Sequence, residues 1–365
     1  MTDRAALLAT IAADPADEVA RLVYADWLDE HGDADRAEFI RVQCDLAAGA
    51  GVRQSALAER EFALLAKHGA AWRVAGLTGR QRFARGFVET IETTADSLLA
   101  AGPDAFIGVP VRTLRLVAAD RLVEDLIPLP VWRTVETLVL NNNSFGTQGR
   151  LGLFLGGADL PRLTALSLRN NQVWPWGVQA LAAVPVTARL KRLDLSGNPI
   201  ADAGADWLAS QPGFAGLEEL ILRSDEIPFA DCVHAVGAAA VAASQTLTHL
   251  RTLSFADQYL GDAGLTGLVR SPNARRLTDL DLSYNGIGAL GSTSIERLTE
   301  SPYLRRLKRL NLDGNRLDRP AIDALLNWPR LASLSCINLT DCEMDGKSTD
   351  AIRASPFADK FVLSD

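Results

Sequence analysis

No run in this 365-residue chain approaches the roughly 18 consecutive apolar residues that a membrane-spanning helix requires, so no membrane is expected among its partners. Cysteine is scarce. Cys44, Cys232, Cys336 and Cys342 are too scattered for a disulfide framework and include no Cys-x-x-Cys pair, which points to reduced structural thiols. His31, His68, His234 and His249 show no metal-ligand spacing among themselves or with the cysteines, so no metal is expected. Positive charge is in deficit, with 37 Lys and Arg against 45 Asp and Glu for a net −8, which argues against nucleic acid and anionic lipid as general partners. The opening residues lack the basic segment and cleavage site of a secretory leader, and a cytoplasmic location is expected. The chain is nonetheless 48% hydrophobic and 22% charged, enough to bury a core.

Repetition dominates what remains. Segments beginning at Leu163 (LTALSLRNN), Leu190 (LKRLDLSGN), Leu277 (LTDLDLSYN) and Leu307 (LKRLNLDGN) share the template Leu-x-x-Leu-x-Leu-x-x-Asn. Looser copies start at Val135, Leu217, Leu250 and Leu331, and weaker ones at Val88 and Val111. Leucines at the fourth and sixth template positions lie two apart, on one face of a strand, and their neighbours face the other way. Asn143, Asn171, Asn198, Asn285 and Asn315 end the strands, where each amide can satisfy backbone groups that stacking buries. Helical stretches such as 201–209 and 261–269 follow, with small residues suited to close packing. No unit can bury its apolar face alone, so neighbours must stack.

This pattern resembles the leucine-rich repeat family, and the spacing and helical segments resemble its ribonuclease-inhibitor-like branch. The resemblance implies an α/β leucine-rich-repeat solenoid, with a curved parallel sheet inside and helices outside. Asp225, Gln258 and Leu339 stand where the asparagine would be, and extra sequence around Pro228 to Ala243 is expected to form a longer helix or a loop.

Residues 1–76 carry no repeat and read as an all-α module. A first helix contains Leu7, Leu8 and Ile11 after Thr2 or Asp3 as cap. In a second, Val19, Leu22, Val23 and Trp27 recur at helical spacing before His31-Gly32-Asp33 ends it. A third runs from Asp35 through Phe39, Val42 and Leu46 to Gly49, and a fourth over 55–74 directs Phe62, Leu65 and Trp72 inward. The runs RLVYADWLDEHGD (21–33) and DRAEFIRVQ (35–43), with the linking RGFVE (85–89), closely resemble the bacterial repeat-companion domain, a module that accompanies repeat arrays. That resemblance implies organisation and no activity. The expected domains are the module at 1–76, about ten repeats at 77–340 with the first two degenerate, and a C-terminal cap at 341–365.

Between Asp14 and Glu38 nine acids face two bases, for a net −7 that leaves −1 for all the rest. A solvated helix face with local arginine pairing accounts for this, and so would an acidic face docking a basic partner. The segment Asp341 to Ser348 imitates a phosphate loop, but Asp341 occupies its first glycine position, and Glu343 and Asp345 would repel phosphate. The acidic run 29–35 lacks calcium-loop register, and no Gly-x-Ser-x-Gly elbow occurs. No catalytic set and no cofactor is expected.

Ten strands about 4.8 Å apart make a ladder of roughly 45 Å. On its concave face the template projects Arg169, Arg192, Asp194, Glu219, Arg223, Asp279, Asp281, Tyr284, Arg309 and Asp313. These polar, mixed charges suit a protein or peptide partner and offer no aromatic platform for single-stranded nucleic acid. The expectation is a non-enzymatic, monomeric interaction scaffold. The alternative is an enzyme with its site in or beside the helical module, near His31, the acids and Trp27.

Overall fold

The computed structural model describes residues 3–49, 51–147, 149–224 and 227–364. It divides into two compact units, Met1–Asn143 with Leu153–Ala165, and Ser144–Gly152 with Leu166–Asp365.

The first unit begins with helices α1 (Asp3–Ala13), α2 (Glu18–Glu30), α3 (Ala34–Ala48) and α4 (Gln54–Trp72). The alternative cap Thr2 lies outside the described residues. Asp17 caps α2 through the Val19 and Ala20 N–H groups, at 2.9 and 3.2 Å, and Asp33 caps α3 through the Arg36 N–H. Gly49 closes α3 in the left-handed conformation.

Apolar spacing does not decide facing here, and the expected inward turn of Phe62 fails. Val19, Leu22 and Val23 are exposed, and the buried face of α2 is Arg21, Tyr24, Ala25 and Leu28. The reason is Arg21. It is wholly buried, and its guanidinium donates to Glu89 and the Pro15 carbonyl at 2.6 Å and to the Arg85 carbonyl at 2.9 Å. Turning this face inward turns the valines out. Phe62 is likewise exposed, because α4 presents Leu64 and Gly69 to the interior.

A hairpin that the sequence reading did not anticipate follows, β1 (Arg80–Ala84) antiparallel to β2 (Phe87–Thr94). Its two-residue turn places Arg85 at φ 48° and Gly86 at φ 88°, the pairing that suits right-twisted strands. A Cβ on Gly86 would stand 2.4 Å from Ile40, so glycine lets the turn seat directly on α3. The Gly86 N–H donates to Gln43 at 2.6 Å, and Glu89 receives Arg21 and Arg85. The distinctive residues of the 21–43 segment thus hold the hairpin. After α5 (Ala95–Ala101), β3 (Thr113–Val117) adds parallel to β2. After α6 (Val123–Leu126), β4 (Thr137–Val139) adds parallel to β3. Helix α7 (Arg150–Gly157) and strand β5 (Ala165–Ser167) fall across the division.

The second unit alternates helix and strand: α8 (Pro175–Ala182), β6 (Arg192–Asp194), α9 (Ala201–Ser210), β7 (Glu219–Ile221), α10 (Ala235–Ala243), β8 (Thr252–Ser254), α11 (Gly261–Val269) and β9 (Asp279–Asp281). It continues with α12 (Thr293–Glu300), β10 (Arg309–Asn311), α13 (Arg319–Leu326), β11 (Cys336–Asn338), α14 (Gly346–Ala354) and β12 (Phe361–Val362). Strands β6 to β12 pair in order, every pair parallel. Leu193, Leu220, Leu253, Leu280 and Leu310 sit side by side at the centres of β6 to β10, 3% exposed or less. Each such burial contributes about 1.5–3 kcal/mol, and only stacking neighbours make it possible.

The asparagines do what their position requires. Asn198 Nδ2 donates to the Leu168 and Leu195 carbonyls at 2.8 Å, and its Oδ1 accepts the Asn171 and Val173 N–H groups at 2.9 Å. Asn143, Asn285 and Asn315 repeat the pattern. Gln258 substitutes with its longer side chain, reaching Leu222 O at 2.6 Å and the Val233 N–H at 2.5 Å. Asp225 lies outside the described residues. The insertion after it makes a loop with a short turn at Phe229–Asp231, and α10 is no longer than its neighbours.

The last repeat corrects the sequence register. Arg309 pairs with Cys336 and Leu310 with Ile337, so the template starts at Leu334, three residues after the expected Leu331. Leu339 is then a core position and not an asparagine substitute. Cys342 takes the asparagine's place, its Sγ donating to the Leu312 carbonyl at 3.1 Å. Within the Asp341–Ser348 segment Asp345 caps α14, accepting the Ser348 N–H at 2.8 Å.

Candidate functional site

In the second unit, side chains at the third and fifth template positions point away from the leucine core and run in two rows. Strand register sets Arg192, Glu219, Thr252, Asp279, Arg309 and Cys336 side by side, and likewise Asp194, Ile221, Ser254, Asp281, Asn311 and Asn338. Over these rows lies a trough of ≈ 560 Å³. Seven of the ten expected residues line it: Arg169, Arg192, Asp194, Arg223, Asp279, Asp281 and Arg309. Glu219 lies outside the lining but pairs with Arg192 at 3.2 Å. Cys336 and Asn338 also line the trough, and the mistaken start at Leu331 had concealed them.

The charges are layered. Asp194 is buried and accepts Ser196 Oγ at 2.7 Å and Ser167 Oγ at 3.2 Å. Asp281 accepts Ser283 Oγ at 2.8 Å and Ser254 Oγ at 3.0 Å. Asp279 accepts Thr278 Oγ1 at 2.7 Å and pairs with Arg309. In both cross-strand ion pairs the arginine is the outer partner. The Arg192 side chain is 49% exposed against 27% for Glu219, and that of Arg309 is 71% exposed against 18% for Asp279. Carboxylates therefore form the floor, and these two guanidinium groups stand above it.

Tyr284 and Asp313 lie beside the trough in a cluster of their own. Tyr284 has φ 55°, and its ring packs against Gly314, where a Cβ would come within 2.3 Å of ring carbons. The charge of Asp313, then burial and Asp341, raise the pKa of the Tyr284 hydroxyl. Burial, then Asp341 and Asp281, raise that of Asp313.

The acidic segment of the first unit is largely spoken for. Arg41 bridges Asp26 and Asp29 at 2.7 Å, Arg60 holds Glu38 at 2.5 Å, and Lys67 and His68 hold Asp35 at 2.7 and 2.6 Å. Asp17 and Asp33 are helix caps. His31 stacks on Trp27 with ring centroids 3.8 Å apart, and neither lines the ≈ 270 Å³ cavity of this unit, which is walled by Tyr24, Arg36, Trp72 and Phe87 among others. Among the described residues no cluster of three or more His, Cys, Asp or Glu could hold a metal. No described helix is long and apolar enough to cross a membrane.

Comparison with known proteins found one family profile and several solved structures. The Leucine Rich repeat family profile matches residues 190–209 and 274–295, so the units built around β6 and β9 are leucine-rich repeats. A solved structure from Bacteroides fragilis is similar at 14% identity and TM-score 0.42, covering 64% of this chain and 67% of that one. An internalin from Listeria monocytogenes is similar at 15% identity and TM-score 0.42, covering 76% of this chain and 86% of the other. No curated protein matches the chain.

Proposed function

We propose that the protein is a non-enzymatic interaction scaffold that binds a protein or peptide through the trough of its second unit. Leucine-rich-repeat proteins generally act as protein-interaction scaffolds. The observation that carries the reading is the layering of charge, with Arg192 and Arg309 standing outside the acids they pair with. A carboxylate on a partner can approach either arginine without displacing the acid beneath it, and bidentate arginine contacts are well suited to such recognition. The partner this favours presents acidic side chains in an extended or gently convex segment. Arg169, Arg223, Tyr284 and Asp313 complete the contact surface. The protein acts as a cytoplasmic monomer with no cofactor.

The test is a pull-down from native lysate with the intact chain and with a variant reversing Arg192, Arg223 and Arg309 to Glu. Arg192 and Arg309 lie on the strand face away from the core and Arg223 is exposed just beyond β7, so the variant should fold. It should lose specific proteins that the intact chain retains, and the lost proteins should compete with poly-glutamate peptides. Retention of every captured protein would remove the trough from consideration.

A further inference from the structure

The cavity of the first unit holds an unusual cation. Arg36 lies against three rings, its Cζ 4.7 Å from the Trp72 centroid, 5.4 Å from Phe87 and 5.5 Å from Phe39. Its Nη1 is shut away from solvent and has no hydrogen-bond partner. Ring faces attract a guanidinium but accept its N–H bonds poorly, so an unpaired buried donor of this kind is costly. Burial drives the Arg36 pKa down to about 10, a sign of a charge short of compensation. Asp33 is the nearest acid in the lining, but its carboxylate is engaged by the Arg36 backbone N–H as the cap of α3.

Two further groups converge on the same space. Tyr24 and Arg4 both line it, and Arg4 Nε donates to the Tyr24 hydroxyl oxygen at 3.3 Å, which leaves the phenolic proton available to another acceptor. The remaining wall includes Leu8, Trp72 and Phe87, and the volume is ≈ 270 Å³. An apolar cavity of about 150 Å³ admits benzene, so this one has room for a ring or short acyl chain together with one polar head.

We propose that this cavity binds a carboxylate monoanion carried on a small apolar body, the carboxylate accepting from Tyr24 and Arg4 and pairing with the part of the Arg36 guanidinium other than the enclosed Nη1. Asp33 at the wall sets the selectivity, because it repels a phosphate dianion more than a singly charged head. The site is independent of the trough and stands or falls separately. The carboxylate has two possible sources, a free organic acid or the carboxyl terminus of a peptide.

Calorimetric titration of the full chain decides the matter. Sodium benzoate should saturate one site, while benzamide and inorganic phosphate should not. Arg36→Gln should weaken benzoate by about tenfold, the scale of a lost charge-assisted pair. If that variant melts early, Arg4→Glu at the exposed rim takes its place and should also weaken binding. Acetyl-Ala-Phe with a free carboxylate, compared with its amide, separates the sources. Tighter binding than benzoate identifies a chain terminus, and weaker binding a free acid. The proposal is overturned if neither acid gives saturable heat, if benzamide matches benzoate, or if the folded charge variants bind benzoate unchanged.

Discussion

At the scale of single residues, the interior is held by polar side chains with several simultaneous duties. Asn198 satisfies five backbone groups drawn from two adjacent units. Asn198→Ala takes a partner from three carbonyls and two N–H groups, and should destabilise the protein by about 3 kcal/mol in urea denaturation, since each buried orphan costs roughly 1–3 kcal/mol and partial relaxation offsets some of the sum. Cysteine chemistry follows burial. The Cys342 thiol is pushed up to about 12 and that of Cys44 to about 11, both chiefly by desolvation. Native protein treated with iodoacetamide near pH 8 should therefore spare Cys44 and Cys342, label half-buried Cys336 first, and expose all four thiols only in denaturant. These roles differed in legibility. The asparagines were readable because the template repeats them. The inward turn of Arg21 was not, because its partner Glu89 lies 68 positions away and an arginine amid valines reads as the solvent side.

At the scale of elements, the hairpin β1–β2 is the part most dependent on one residue. Gly86→Ala puts a methyl group into Ile40 at a left-handed φ, and should cost about 2–4 kcal/mol by combining overpacking with backbone strain. Chemical denaturation measures it, and Ile40→Ala should relieve part of the loss. Between α3 and α4 the Asp35 carboxylate is lowered to about 2 by hydrogen bonds from Lys67 and then His68. Its folded value lies below the unfolded one of about 3.9, so this stabilisation is complete above that value and fades as pH falls through about 2. Wild type should melt above Asp35→Asn at pH 6, with the gap closing towards pH 2. Helix and strand periods were legible wherever local residues set them. The phase of the last repeat was not, because Leu331 and Leu334 both begin a plausible template, and only the pairing of Leu310 with Ile337 decides between them. A second ladder also escaped notice. Ser244, Ser271 and Ser301 each donate from the end of one helix segment to a carbonyl of the helix before it, and serine at turns is too common to stand out.

At the scale of the molecule, the net −8 is unevenly used. Much of the acidity of residues 14–38 is consumed in caps and ion pairs within the first unit, so the helix-face reading accounts for it without a basic partner. On the proposed reading, charge recognition falls to the trough, where Arg192 and Arg309 are solvent-facing and open to screening. Capture of a partner there should weaken as salt rises from about 0.05 to 0.5 M, because the Debye length shrinks from above 10 Å to a few ångströms. Reversing Asp26 and Asp29 should leave that capture unchanged while lowering the melting temperature through the loss of Arg41's partners.

The manner in which each asparagine serves the unit before it carries a consequence for how such a chain can change length. A bond that always reaches back by one step is indifferent to how many steps there are. Copying residues 190–216 in frame would hand the newcomer a donor for its predecessor and a receiver for its successor, whereas a cut of any other size would leave one turn unanswered. Growth and shrinkage by whole blocks is thus a route open to this gene through simple duplication and loss, and a longer trough would come with it at no cost to what is already built.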